Sequence, residues 1–150
     1  MRAGISRRRF GGALVAIAAA ISAPLKVFAR SEAAFAARAS DAALRDLYGD
    51  RPIVTSDLID LKMPDIAEDG SIVPVTVSTS IPEVRAITLL VDQNPNPLSA
   101  RFFFQPAAAA EFKTRIKMGE SSDVRAVVET ADALFLAVKN VKVTLGGCGG

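Results

Sequence analysis

The strongest constraint on the fold is the strict alternation of side chains from Phe112 to Met118. A period of two residues is that of a β-strand with one buried and one wet face, as in an antiparallel sheet. The buried face would carry Phe112, Thr114, Ile116 and Met118, and the wet face Lys113, Arg115 and Lys117. These cations are typical of a solvated surface, although a patch that binds an anion would show the same pattern.

Other short segments have the same character. Valines alternate with small or polar residues from Val73 to Val77, after the turn signal Asp69-Gly70. The aliphatic run from Val84 to Asp92 predicts a central strand, which Asn94-Pro-Asn-Pro97 ends with turn chemistry. In the segment that follows, Phe102 and Phe104 are expected on one side and Phe103 on the other.

The last part of the chain predicts a hairpin and a final strand. Segments 124–129 and 134–138 are expected to pair around the turn Thr130–Ala133. The final strand, Val141 to Leu145, places its apolar residues at odd positions, whereas Leu134, Leu136 and Val138 are even. A bulge or kink near Lys139-Asn140 would reconcile the two patterns.

These segments predict an all-β fold, an immunoglobulin-like antiparallel β-sandwich of six or seven short strands over residues 51–145. An N-terminal helix is expected within residues 30–50, from about Arg30 to Tyr48, with Gly49 at its C-cap. Its apolar stripe, which includes Phe35, Leu44 and Leu47, is interpreted as a docking face against the sandwich.

The first 29 residues have the pattern of a twin-arginine signal peptide. Arg7 and Arg8 lie in the motif Ser6-Arg-Arg-Arg-Phe10, and an uncharged stretch to Leu25 follows, too short to span a bilayer. Cleavage is expected after Ala29, with export to the periplasm; an ordinary amphipathic helix is the alternative. The signal contains five of the 18 Lys and Arg residues, which leaves 13 cations against 16 acids and a net charge of −3. A nucleic-acid partner is therefore not expected.

The residue counts exclude several classes of catalytic site. The chain has no histidine, which excludes Ser-His-Asp and Cys-His catalysis and His-containing zinc sites. One cysteine, Cys148, can form neither an internal disulfide nor a thiolate cluster. The sequence therefore predicts no catalytic residues and no metal site.

The cysteine stands in the C-terminal sequence Gly146-Gly-Cys-Gly-Gly150, between Gly146 and Gly147 on one side and Gly149 and Gly150 on the other. Glycine has a wide range of backbone angles and no side chain, so residues 146–150 are expected to form a thin, flexible arm. The arm would hold the thiol roughly 10–12 Å from Leu145. The chain places no cation beside the cysteine to lower its pKa, so activation is expected from another protein. An incidental frayed tail is the alternative.

At this ending the chain resembles the SoxY family, the sulfur-carrier subunits of the bacterial Sox thiosulfate-oxidation system. The resemblance rests on Val141-Lys-Val-Thr-Leu-Gly-Gly-Cys-Gly-Gly150, with the export signal, the helix, the sandwich and the Asn94–Pro97 segment in support. It implies a carrier that has no catalysis of its own and no cofactor. Thiosulfate-derived intermediates would be attached covalently to Cys148.

The resemblance also implies partners. A SoxZ-like subunit would complete a heterodimer, a haem-containing SoxAX-like enzyme would load thiosulfate, a manganese SoxB-like enzyme would release sulfate, and a molybdenum SoxCD-like enzyme would oxidise the remaining sulfur. Two other functions stay open on the residues alone. The carboxylate of Gly150 could carry sulfur as a thiocarboxylate, or Cys148 could crosslink a structural module.

Overall fold

The computed structural model describes residues 31–106 and 108–144. In this part of the chain two short helices, α1 (Glu32–Ala36) and α2 (Ser40–Tyr48), precede nine strands. The strands are β1 (Ile53–Thr55), β2 (Ile59–Lys62), β3 (Ile66–Ala67), β4 (Val73–Thr79), β5 (Ala86–Val91), β6 (Leu98–Phe103), β7 (Glu111–Ile116), β8 (Ser122–Glu129) and β9 (Leu134–Val143). The count exceeds the predicted six or seven because β1 and β3 are too short to show a pattern.

The strands form two sheets, which confirms the predicted all-β sandwich with helical structure at its N-terminal side. The larger sheet has the order β1-β9-β8-β5-β6, with β3 also paired to β9, and the smaller sheet has the order β2-β4-β7. Adjacent strands are antiparallel except β1 and β3, which run parallel to β9. Strand β9, the last of the described strands, therefore pairs with three others: β1, β3 and β8.

The main core lies between the two sheets. Strand β5, predicted to be central, is an interior strand of the larger sheet, between β8 and the edge strand β6. All six residues of β5 are buried. Ile87 and Leu89 belong to the core between the sheets, whereas Leu90 packs with the helices on the opposite face of the larger sheet. Full burial of each such aliphatic side chain contributes about 1.5–3 kcal/mol. Strand β5 reads as a continuous apolar run because both of its faces are covered.

The alternation in β7 and around the phenylalanines is also confirmed. Ile116 and Met118 are buried, whereas the three cations between and beside them are exposed. Phe102 and Phe104 pack against the main core, and Phe103 is 60% exposed. The ring of Phe102 stacks on that of Phe112, with centroids 4.0 Å apart, and so links the edges of the two sheets.

The N-terminal region forms two helices where the sequence predicts one. The backbone is extended at Ala37 (φ −57°, ψ 145°), and the carbonyls of Phe35 and Ala37 accept hydrogen bonds from Nδ2 of Asn96, at 3.2 and 3.5 Å. A continuous helix would use these carbonyls internally, so the tertiary bonds compete with it. The docking interpretation holds, because Ala34, Ala43 and Leu44 are buried with residues of the larger sheet.

The predicted bulge near Lys139-Asn140 is wrong. Strand β9 is continuous, and its register with β8 is unbroken from Ser122↔Val141 to Glu129↔Leu134. Leu134 and Leu136 pack with the helices, whereas Val141 and Val143 pack in the core between the sheets. The pattern changes parity because the first half of β9 contributes to clusters on both faces of the sheet, while the second half contributes only to the inner one.

Tyr48, the only tyrosine of the chain, ties α2 to the sheet through a buried hydrogen bond between its hydroxyl and Oγ1 of Thr88, at 2.7 Å. Burial raises the pKa of Tyr48 above its ordinary value of 10.0, although Thr88 lowers it in part. Because the pKa of Tyr48 is raised in the folded state, burial of the neutral phenol contributes fully to the free energy of unfolding below about pH 10. This contribution is lost as the pH rises through the folded pKa. Ultraviolet titration of the single tyrosinate should show a midpoint above 10 in the native protein and near 10 in urea. Equal midpoints would contradict the buried position of the phenol.

Candidate functional site at the base of the C-terminal arm

Thr144, one residue after β9, is the last residue that the structure describes before the cysteine predicted to be the functional site. Cys148 and the four glycines around it lie outside the described residues, as do Arg7 and Arg8 of the signal motif. The structure therefore describes the strand that precedes the predicted arm, up to Thr144. We call Val141–Thr144 and the residues bonded to them the arm base.

The arm base is held from both sides. On one side the amide of Lys142 donates to the carbonyl of Asp65 at 2.9 Å, and that of Thr144 to the carbonyl of Ala67 at 3.0 Å. On the other side the amide of Val143 donates to Oγ of Ser121 at 2.9 Å. Hydrogen bonding thus continues to the last described residue, one position beyond the end of β9. The end of β9 is therefore fixed on the sandwich as far as Thr144.

Gly70 lets the loop between β3 and β4 pass directly against the arm base. Its carbonyl accepts a hydrogen bond from the amide of Met118 at 2.7 Å. A Cβ atom at this position would lie 2.9 Å from Cγ1 of Val143 and even closer to the carbonyl oxygen of Met118. No other residue fits without moving the backbone, which explains the glycine of the Asp69-Gly70 turn.

Three carboxylates lie in the loops on either side of β3, near the arm base. Asp65 precedes β3, and Glu68 and Asp69 follow it; all three are exposed, and Asp65 pairs with Lys139 of β9 at 3.0 Å. A hydrogen bond from the side chain of Ser71, supported by the one from its backbone, holds the pKa of Asp69 below its ordinary value, so this carboxylate stays ionised.

No group of three or more potential metal-ligating side chains occurs within residues 31–106 and 108–144. In the same residues, no helix is long and apolar enough to cross a membrane.

Comparison with known proteins decides the family. The sequence model described as "Sulfur oxidation protein SoxY" matches residues 44–148, which is most of the chain and ends on the cysteine. This chain belongs to the SoxY family. A search of curated proteins found no match.

Solved structures agree with the SoxY assignment. The sulfur carrier protein SoxY from Chlorobium limicola f thiosulfatophilum is 38% identical, with a TM-score of 0.65; the match covers 70% of this chain and 96% of that one. A superoxide reductase (neelaredoxin) from Ignicoccus hospitalis is 20% identical, with a TM-score of 0.52, over 57% of this chain and 80% of that one. The second likeness is one of fold alone.

The Asn94–Pro97 segment, one of the features that support the SoxY resemblance, has a structural role near the arm base. Asn94 donates from Nδ2 to the carbonyl of Lys117 at 2.8 Å and accepts at Oδ1 from the amide of Gly119 at 3.0 Å. On the other side, Asn96 donates to the carbonyls of Phe35, in α1, and Ala37, directly after it. The segment therefore joins the helices to the β7–β8 turn. The sequence indicates a turn here but not its two binding partners.

Replacing Asn96 with alanine should loosen α1 without unfolding the sandwich. The loss of both carbonyl contacts should lower the free energy of unfolding by about 1 kcal/mol and speed amide hydrogen exchange in α1. Asn140→Ala is the matched control, because it removes an exposed bond to Asp123, at 2.8 Å, away from the helices. Unchanged exchange in α1 would show that Asn96 does not hold it.

Sequence reasoning also misses an ionic network on the helix side of the larger sheet. Arg125 donates from Nε and Nη2 to Oδ2 of Asp92, at 2.9 and 2.7 Å, while Ser40 donates to Oδ1 at 2.6 Å. The hydrogen bond to Asp92 raises the pKa of Arg125. The network attaches the start of α2 to the sheet. No spacing in the sequence reveals it, because the partners are 33 and 52 residues apart.

Proposed function

We propose that this SoxY-family protein is a carrier of sulfur compounds, which binds thiosulfate-derived intermediates covalently through Cys148 and presents them to partner enzymes. The observation that carries the proposal is the family match, which extends through the C-terminal sequence to Cys148. A solved relative with the same fold is itself a sulfur carrier protein. The protein would be substrate and scaffold in the reactions of its partners, with no catalysis of its own.

The chemistry requires an oxidation followed by a hydrolysis. The thiol of Cys148 and the outer sulfur of thiosulfate form an S–S bond, which releases one proton and two electrons to a haem-containing partner. Water then cleaves the terminal S–S bond to the sulfonate group, which leaves as sulfate and leaves a persulfide on Cys148. The protein supplies one sulfur atom and keeps the intermediate attached between the two steps.

The arm base fits this role. The strand that leads to the arm is bonded on both sides as far as Thr144, so motion would be confined to the residues that follow. Cys148 could stand at most about 13–14 Å from Thr144 if the four intervening steps were extended. Glycines on both sides of the cysteine would let the loaded thiol enter a narrow partner site. An attached intermediate would also stay at high effective concentration for successive enzymes.

The remaining assignments follow from the family and the signal motif. The protein would be located in the periplasm, which it would reach by the twin-arginine route through Arg7 and Arg8. A SoxZ-like subunit would form the heterodimer, and haem, manganese and molybdenum enzymes of the Sox system would act on the cargo. The absence of histidine from the whole chain favours this division of labour, because general acid–base chemistry would come from the partners.

Replacing Gly146 and Gly147 together with valine tests the carrier role against the crosslinker role. Valine restricts the backbone and widens the arm, so thiosulfate-dependent electron transfer in a reconstituted system should fall at least about tenfold. The free thiol titre should stay unchanged, since Cys148 remains. A Val54→Ala variant, at an exposed position of the sandwich, is the control. Full activity of the double variant would contradict a moving arm.

A further inference from the structure

The exposed face of β7 begins with Glu111 and continues with two cations of the strand, Lys113 and Arg115, and a third, Lys117, directly after it. Lys113, Arg115 and Lys117 are all exposed and form no ion pair within the described part of the chain. Other cations do find partners there: Arg51, Lys62, Arg101, Arg125 and Lys139. Arg38, Arg45, Arg85 and Lys142 also form none of these ion pairs, so the row is distinguished by its alternate spacing along one face, in a protein expected to be net negative after export.

The same strand has an open backbone edge. Strand β7 pairs only with β4 in the smaller sheet. The amide of Thr79 donates to the carbonyl of Ala110 at 3.2 Å, and bonded residues alternate along an antiparallel pair. The even-numbered residues of β7 therefore bond to β4, and Lys113 and Arg115 direct their amides and carbonyls away from it. Lys113 and Arg115, which form no ion pair in the described part of the chain, are therefore also the residues whose backbone groups face away from β4.

A groove of about 410 Å³ runs along this edge. Ser99 and Ala100 of β6, the edge strand of the larger sheet, form one wall, and residues 114–117 form the other. At one end of the groove, Nδ2 of Asn94 donates a hydrogen bond to the carbonyl of Lys117. Because this carbonyl already has a donor, the open edge is limited to the middle of β7. The space beside the edge is therefore bounded and accessible.

We infer that the open edge of β7 binds an extended, acidic segment of a partner protein, which adds a strand to the smaller sheet. Outward amides and carbonyls supply the main-chain hydrogen bonds of strand addition, and cations at every second residue match carboxylates at every second residue of the partner. A second copy of this chain fits poorly, because pairing β7 with β7 would bring cations opposite cations.

The edge lies close to the arm base. Lys117 precedes Met118, whose amide binds Gly70, and Gly70 packs against Val143. A partner strand on β7 would therefore sit beside the point where the arm begins. The inference does not depend on the cargo chemistry, and its test uses neither Cys148 nor thiosulfate turnover.

The probe is an acetylated, amidated nine-residue peptide in which glutamate alternates with threonine, and the control peptide has lysine in place of glutamate. Titration into the folded protein should shift the backbone amide resonances of Lys113 and Arg115 and slow their hydrogen exchange. Binding should weaken as salt increases, because exposed charge pairs are screened. The lysine peptide should not bind.

Two variants separate charge from strand addition. Lys113→Ser removes a charge, and Lys113→Pro removes the same charge and the outward amide, while the bonds to β4 remain. The proline variant should bind the peptide several-fold more weakly than the serine variant. Loss of all three cations to serine should weaken binding roughly tenfold. Arg45→Ser, Arg51→Ser and Arg85→Ser together remove equal charge away from β7 and should leave binding unchanged.

Three results would overturn the inference. Binding that is equal in the triple variant and its charge-matched control would place the peptide elsewhere. Inorganic sulfate that produces the same shifts and the same protection from exchange would assign the row to a small anion. Concentration-dependent dimers that Lys113→Pro abolishes would assign the edge to self-association. If the proline variant does not fold, the exchange protection of Lys113 and Arg115 in the unaltered protein still decides the outcome.

Discussion

Cys148→Ser is expected to abolish covalent loading and with it thiosulfate-dependent electron transfer. Serine cannot form the S–S bond, and the chain has no second cysteine to replace it. The fold should be unaffected, because the sandwich and arm base are built from residues up to Thr144. Incubation with thiosulfate and the loading enzyme, followed by intact mass measurement, should show the adduct in the unaltered protein and none in the variant.

A relocated thiol provides the control. Thr144→Cys in the Cys148→Ser background restores one exposed cysteine but places it on the arm base. We expect this protein to react with small thiol reagents and to stay inactive with the partner enzymes, because it has no reach. Sulfur that remains bound to Cys148→Ser would contradict the proposal and would favour a thiocarboxylate at Gly150.

Gly70→Ala is expected to be the most destabilising change near the arm base. The added Cβ would collide with the backbone carbonyl of Met118 and with Val143, and a backbone atom cannot rotate away as a side chain does. We expect a loss of roughly 3 kcal/mol in the free energy of unfolding, or about 10 °C in the melting temperature. Calorimetry and urea denaturation measure both quantities.

Gly119→Ala is the matched control for this change. It lies in the neighbouring turn, but its Cβ would meet only Oδ1 of Asn94, at 3.9 Å. A glycine replaced where there is room usually gains a few tenths of a kcal/mol, since the unfolded chain loses freedom. Equal melting temperatures for Gly70→Ala and Gly119→Ala would contradict the close packing of Gly70 against the arm base.

The sequence predicts most of the sandwich because its strands are long enough to show a period. Val73–Val77 and the segment from Phe112 to Met118 alternate because each has one face in the core. Strand β9 misleads for a physical reason: its first half packs on both faces of the sheet and its second half only on the inner face, so a continuous strand imitates a register shift. The break at Ala37 is invisible locally, because alanine favours helix and the competing donor is Asn96, 59 residues away.

The candidate site shows the same limit. The composition and order of residues 146–150 predict a flexible arm with one thiol, because both depend on the chain alone, whereas the carrier role of Cys148 comes from the resemblance to the SoxY family. The clamp at the arm base depends on Ala67 and Ser121, which come from distant segments and carry no motif. Likewise, the cations of β7 appear in the sequence as an ordinary wet face. Their significance comes from the sheet order, which leaves that strand at an edge.

The central claim is that one sulfur atom at the end of the chain holds the substrate between enzymes. Intact mass measurement of the exported protein, isolated without reductant from cells grown on thiosulfate, tests it most directly. The account predicts a sulfur-containing adduct on the C-terminal peptide with Cys148, which a reductant removes and which is absent from cells grown without reduced sulfur. A protein found only as the unmodified thiol or as a disulfide-linked dimer under both conditions would contradict it.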